Sequence, residues 1–446
     1  MDKNLSPEIW VHGNATAMRA LQHALLLDLF QTAVAAAHPA ACLPPLLPEP
    51  PAGRLILLAA GKAAGSMTQV AEEIYFNQFH LPPERLTGVA VARHGYGRPT
   101  RAVEMIEAGH PVPDAAGLRA AERALALADS AGVDDLVLVL MSGGASANWI
   151  APAAGISFAD KQAVTRALLR SGTAIGEINT VRKHLSRIKG GRLARHAYPA
   201  ALVTIAISDV PGDEPSAIGS GPTVPDPTTL ADARAIVAKY ALSVPEAITR
   251  ALADPANESV KPGDPAFARS RFALAARPAD SLAAAEKAAR AAGYEVVLLG
   301  DRLEGEARMV AGDHARLARE LRAQGRRAAI LSGGELTVTI RGQGRGGPNQ
   351  EYALALAIEL AGMPAVAAVA GDTDGTDGGT GSAADPAGAI IDGETVGQAR
   401  ALGLDPAAFL ADNNSTGFFA ALGDLLVPGP TYTNVNDFRA ILVDRP

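Results

Sequence analysis

Apolar residues recur along this chain in two rhythms. From His12 to Ala37 the spacing is helical, and "LPPLLPEPPAG" (Leu43 to Gly53) then ends the pattern with prolines. Short aliphatic runs alternate with alanine-rich amphipathic stretches after that. "RLILLAAG", "TGVAVAR", "DDLVLVLMSGG" and "AALVTIAISD" are nearly unbroken apolar runs, which predicts parallel strands buried on both faces. Helical patterns such as Ala115 to Ala131 and Asp160 to Ser171 lie between them, so the unit is βαβ and the class α/β. A helical region from Leu230 to Ala253 precedes "DPANESVKPGDP", which reads as a linker. Alternation restarts at "RFALAA" and continues through "YEVVLLG", "RAAILSGGELTVTIRG" and "PAVAAVAGDTDG" to "DFRAILV". This predicts domains at residues 1–254 and 255–446. "VLMSGGASA" and "ILSGGELTV" echo each other, one in each half, which places the expected active site in the cleft between the domains.

Composition narrows the function. At 446 residues the chain exceeds one ordinary core. A net charge of −7 argues against nucleic acid and for a small-molecule ligand held by local positive charge. The lone Cys42 excludes an intramolecular disulfide and a zinc–thiolate cluster. The opening "MDKNLSPEIWVHG" lacks the apolar core of a leader, and no run has the roughly 20 apolar residues of a membrane span. The expectation is a cytoplasmic protein without membrane partners. A homodimer is compatible with the sequence, which does not specify the assembly.

The loops after the predicted strands carry the candidate chemistry. Gly61-Lys62 stands where a strand turns into a helix, a favourable place for an anion, though a surface lysine is the plain alternative. It is not a Walker A loop, because Ile56 and Ala63 occupy positions that need Gly and Ser or Thr. Ser142, Gly143 and Gly144 repeat the arrangement, either as a phosphate or carboxylate cradle or as a tight turn. "INTVRKHLSRIKGGRLA" reads as one basic helical segment, with Arg182, Ser186 and Lys189 on a shared face. Ser208-Asp209 ends another strand, where Asp209 is a candidate magnesium ligand or simply a turn cap, and Gly219, Ser220 and Gly221 add backbone donors nearby. Asp372, Asp374 and Asp377 crowd a glycine-rich turn, which needs a cation or several donors against mutual repulsion.

One stretch divides two enzyme classes. Gly342, Gly344 and Gly347 fit G-x-G-x-x-G between a β-rich run and a helical pattern, and Asp372 follows roughly where a ribose partner is expected. That supports a nicotinamide-dependent reductase. Against it, Arg345 sits inside the loop, Pro348 and Asn349 follow it, and the second half offers no His with a neighbouring acid; His94, His110 and His184 are candidates by type only. A non-enzymatic binding module is a weak third reading, since so many strand ends carry polar chemistry.

Taken together, "AAGKAAGSM", "HPVPD", "LMSGGASA", "NTVRKHLSRIKGGRLA", "ISDVPGDEPSAIGSGPT", "LSGGELTVTIRGQGRGGPNQE", "AGDTDGTDGGTGSAAD" and "NSTGFF" resemble the glycerate 2-kinase family from about Asn14 to Val443. Some members bear the older name hydroxypyruvate reductase. The resemblance implies a Rossmann-like N-terminal domain and a C-terminal MOFRL-type domain. It implies phosphoryl transfer from ATP·Mg²⁺ to the 2-hydroxyl of D-glycerate, with Lys62 and Arg345 as the principal active-site cations. Gly344, Gly346 and Gln350 then join Gly61, Ser142–Gly144, Arg182, Lys189, Ser208 and Gly219–Gly221 as candidates for substrate and phosphate contact, with Asp209, Asp372 and Asp374 as candidates for magnesium.

Overall fold

The computed structural model describes residues 7–380 and 382–445, with side chains from residue 17 on. Met1 to Ser6, and Gly381 of the aspartate-rich motif, lie outside the described residues. The first sheet contains β1 (Leu55–Ala60), β2 (Leu86–Arg93), β3 (Val103–Ala108), β4 (Leu136–Met141), β5 (Ala201–Ile207) and β6 (Ser270–Ala276). Their order is β3-β2-β1-β4-β5-β6, and every pairing is parallel. This is the dinucleotide-fold strand order, with its direction of winding reversing between β1 and β4. Those two strands are buried along their whole length, which is why their sequences are unbroken aliphatic runs.

A second sheet contains β7 (Glu295–Leu298), β8 (Ala328–Ser332), β9 (Val366–Asp372), β10 (Gly388–Asp392), β11 (Leu425–Leu426) and β12 (Asp437–Val443), in the order β11-β10-β9-β12-β8-β7. It is mixed, not wholly parallel. β7 and β8 pair in parallel, whereas β12 runs antiparallel to β8 and β9, and β10 antiparallel to β9. Parallel neighbours need a long crossover, usually a helix; only a turn-rich segment without one joins β9 to β10.

The chain divides into two compact units, one spanning Pro39–Ala276 and the other joining the segment up to His38 with everything from Arg277 on. The expected boundary near Pro255 differs from this in two ways. "RFALAA" is β6 and pairs with β5 of the first sheet, so the first unit extends to Ala276. The helix Pro7–Ala36 belongs to the second unit, where Leu26, Leu29, Phe30 and Ala33 pack with Leu282, Val369, Phe438 and Leu442. Among the described residues no helix is long and apolar enough to cross a membrane.

Candidate functional site

In an open parallel sheet, ligands bind beyond the carboxyl ends of the strands where the winding reverses. In the first unit that crevice is formed by the loops after β1 and β4, which are Gly61-Lys62 and Ser142–Gly144. The two loops are tied together. Ser142 N–H donates to Ala60 O (3.0 Å), Lys62 N–H to Gly143 O (2.8 Å), and Ala63 N–H to Ser142 Oγ (2.9 Å). Gly61 has φ +119°, and a Cβ there would lie 2.4 Å from Ser142 Oγ, so only glycine permits this approach. Gly144, at φ +84°, faces both the His110 ring and the Lys62 side chain; a Cβ on it would be 3.0 and 3.4 Å away from them. Lys62, Gly144 and His110 therefore converge. The hydroxyl of Ser142, a candidate ligand contact, accepts from Ala63 N–H and so ties the start of the helix Ala64–Asn77 to this turn.

The basic segment is not one helix. The helix Ile175–His184 ends before Ser186, and Arg192 begins the short helix Arg192–Ala197, so Arg182 and Lys189 share no helical face. Tertiary contacts place Lys189 instead. Gly190 and Gly191 N–H donate to Ser220 O (3.1 Å) and Gly221 O (2.7 Å), which joins "IKGG" to "GSGP". Gly219, Ser220 and Gly221 are all left-handed, with φ of +57°, +63° and +59°. Lys189 Nζ reaches Ser146 O (2.9 Å) and Ser146 Oγ (3.2 Å), and Ser146 Oγ lies 2.9 Å from Ser220 Oγ. Ser220 Oγ in turn meets Asn179 Oδ1 at 3.4 Å. Burial, with Arg182 and Lys161 next, holds the Lys189 ammonium well below the usual lysine range.

The other basic residues of the segment are structural. Lys183 pairs with buried Asp226 (3.2 Å), His184 with Glu258 (3.0 Å), and Arg192 holds backbone carbonyls. Lys161, Ser146 and Asn179 were not singled out from sequence. Ser146 and Asn179 lie inside the quoted motifs, but Lys161 is a lone lysine on a helix and carried no signal. After β5, buried Ser208 continues the backbone ladder to Ala276 O (2.9 Å), and Asp209 is half-buried beside it.

The second unit settles what its glycine loop contacts. A Cβ on Gly342 would fall 2.3 Å from Asp412 O, on Gly344 2.3 Å from Asn414 Cβ, on Gly346 2.0 Å from Ser415 Oγ and on Gly347 2.3 Å from Asp377 O. The backbone donors are occupied as well. Arg341 and Gly342 N–H donate to Asn413 Oδ1 (2.7 and 3.0 Å), Gln343 N–H to Asp412 Oδ1 (2.9 Å) and Gly344 N–H to Asp412 O (2.9 Å). These glycines bring the loop against its own chain, and the exposed Arg345 side chain projects from it. The preceding strand of a dinucleotide fingerprint is missing too, because β8 ends at Ser332.

Gln350 is buried, donating from N–H (2.8 Å) and Nε2 (3.1 Å) to Asp377 Oδ2 and accepting from Thr416 Oγ1 (2.7 Å). Asp377 also accepts from Asn349 N–H (3.0 Å) and so caps the helix Pro348–Glu359. The crowded aspartates are thus separated by donors: Asp374 accepts from Thr376 N–H (2.7 Å) and Asp372 from Asp374 N–H (2.9 Å). No group of three His, Cys, Asp or Glu suited to a metal ion occurs among the described residues. The second unit does contain a His with an acid partner. His23 Nε2 meets Asp392 Oδ2 at 2.8 Å, and Arg19 bonds the same carboxylate, so the trio ties the first helix to β10.

Residues 25–253 match a family model described as a domain of unknown function (DUF4147), and residues 328–437 match the MOFRL family. With the relatives that match this chain, the fold defines a two-unit α/β enzyme of the kinase class. A D-glycerate 2-kinase from Thermotoga maritima is 37% identical over 418 residues, 93% of this chain and 96% of that one. A solved glycerate kinase structure from the same organism matches with a TM-score of 0.83 at 36% identity, covering 95% of this chain and 100% of that one. A relative from Agrobacterium vitis with a provisional hydroxypyruvate reductase name is 46% identical over 425 residues, 94% of each chain. The chain belongs to the glycerate 2-kinase family.

Proposed function

We propose that this chain transfers the terminal phosphoryl group of ATP to the 2-hydroxyl of D-glycerate, in a Mg²⁺-dependent reaction giving 2-phosphoglycerate. The observation that carries the choice over a nicotinamide reductase is the Gly342–Gly347 loop. Its leading N–H groups are bonded within the chain, so a pyrophosphate finds no backbone cradle there, while the Arg345 side chain is exposed. Phosphoryl transfer asks the protein for positioning and for cations against the equatorial oxygens, not for covalent chemistry. Lys62, held at the β1–β4 crevice beside Gly144, is assigned to the nucleotide phosphates, and Arg345 to charge growing on the transferring group.

Magnesium in kinases takes one or two protein carboxylates and completes its shell with phosphate oxygens and water. Asp209 and Asp372, half-buried acids at strand ends, fit that modest requirement, with Asp374 behind Asp372. The bound ion would neutralise phosphate charge. The test is ADP release from D-glycerate and ATP, beside a parallel reaction with hydroxypyruvate and NADH. ADP formation alone supports the kinase; NADH oxidation without ADP formation sinks it.

A further inference from the structure

Among the described residues, Lys161, Arg182 and Lys189 form a group of basic side chains with no ion-pair partner. Lys161 is buried, its Nζ donating to Arg182 O and Leu185 O, both at 3.1 Å, at the carboxyl end of the helix Ile175–His184. Lys189 is buried and donates to Ser146. Among the described residues the Arg182 guanidinium has no hydrogen-bond or ion-pair partner, although it is half-buried. The charges felt by Lys161 are those of Arg182 and Arg192, and those felt by Lys189 are Arg182 and Lys161, all of one sign. Buried Lys183, by contrast, is matched by Asp226. Basic groups buried without an acid give up their charge unless an anion joins them.

Resting on the kinase reading, we propose that Arg182 and Lys189 form the receptor for the carboxylate of the acceptor, a small 2-hydroxy monocarboxylate, with Asn179 and Ser146 beside them for its hydroxyl groups. Arg182 supplies a planar fork suited to a carboxylate, and Lys189 a point charge. Lys161, with two of its donors on Arg182 O and Leu185 O, holds the end of that helix from behind. The chemistry favours a hydroxy acid over a nucleotide phosphate, because the same surface carries acceptors. Asn179 Oδ1 and the Ser146 hydroxyl suit hydroxyl groups and would repel phosphate oxygens. Ser220, fully buried at φ +63°, holds Ser146 and Asn179 in one chain of hydrogen bonds and makes no ligand contact itself.

The experiment measures D-glycerate binding calorimetrically without nucleotide, and ATP KM separately, for wild type, Arg182→Gln and Lys189→Met. Unfolding midpoints check that each variant is folded. Loss of a charge-assisted contact predicts at least about a tenfold weaker D-glycerate affinity. ATP KM should stay within about twofold, and the preference for D-glycerate over its neutral methyl ester should shrink. Wild-type affinity in folded Arg182→Gln overturns the receptor, as does a loss that falls on ATP and spares D-glycerate. D-glycerate bound by wild type and lost in Arg182→Gln upholds the site even where the ADP assay fails. ADP formation with undiminished binding by Arg182→Gln overturns the site and leaves the kinase standing.

Discussion

The same three residues, Ser-Gly-Gly, stand at the carboxyl ends of β4 and β8, and the two turns serve opposite ends. After β4, Gly144 faces Lys62 and His110, and the chain runs on to Ser146, which meets Lys189. After β8, the turn is closed by its own protein. Arg439 Nη1 donates to Gly333 O (3.0 Å), Asp437 N–H to Gly334 O (3.2 Å), and Gly334 lies under Leu303. Arg439 and Asp437 form a buried ion pair there. Paired glycines after a strand announce that something approaches the backbone closely. They do not say whether the visitor is a ligand or an arginine from the next strand.

The comparison breaks if substitutions around the two turns and loops have similar consequences. The largest effect belongs to the exposed loop cation. Arg345→Ala should lower kcat by about 10³ or more, and Arg345→Lys should not rescue it, since a point charge lacks the guanidinium fork. Lys62→Ala should lower kcat by about 10²–10³ with little change in unfolding midpoint. Steady-state ADP assays on folded protein check both, and near-normal turnover in either variant returns that residue to a solvated surface role.

At the closed turn the damage should fall on stability. Arg439→Met strands buried Asp437 without its counter-ion, an expected loss of about 3–5 kcal/mol in urea unfolding. Whatever fraction stays folded should keep its D-glycerate affinity. A smaller loss, about 1–3 kcal/mol, is expected for Gly346→Ala, because the added carbon overlaps Ser415. A Gly346→Ala variant as stable as wild type would mean that the loop is looser than its packing implies.

A further effect is a pH dependence. Burial first, then Arg182 and Arg192, pushes the Lys161 ammonium down to about 7, from an ordinary value near 10.5. Between those limits the unfolded chain binds the proton more than the folded one, so this group makes stability rise with pH from about 7 to about 10.5. Lys161→Met should flatten that part of the curve in thermal melts at pH 6 through 9. An unchanged slope would deny the group its buried, poorly compensated setting.

What the sequence reveals depends on how local each cause is. β1, β2, β4 and β5 were legible because strands covered on both faces must be continuously apolar. β3, "VEMIEA", was not, because an edge strand exposes its Glu104 and Glu107 and loses the pattern. β6 was recognised as a strand but assigned to the wrong unit, since pairing with β5 is a tertiary choice. The run from Glu335 to Arg341 looks β-rich yet forms only an isolated bridge at Thr337, where the chain leaves the sheet to meet Asp412–Ser415. In the site, glycine turns and the basic motif stood out by composition. The placement of Lys189 on Ser146 is a tertiary contact with no local signal, and Lys161 became visible only through its burial.

The helix Pro7–Ala36 has a consequence for biosynthesis. It leaves the ribosome before the first unit, yet its apolar face is covered by Leu282, Val369, Phe438 and Leu442, which are translated after that unit. Between these events the whole of Pro39–Ala276 emerges as a continuous segment able to complete its own sheet. The nascent helix must therefore wait, exposing Leu26, Leu29 and Phe30 while the first unit is made, which makes it a natural client for a holdase. A fragment beginning at Arg277 would carry the complementary defect, a bare apolar sheet face that the missing helix should cover, and should be recovered in soluble form only when that helix is supplied alongside it.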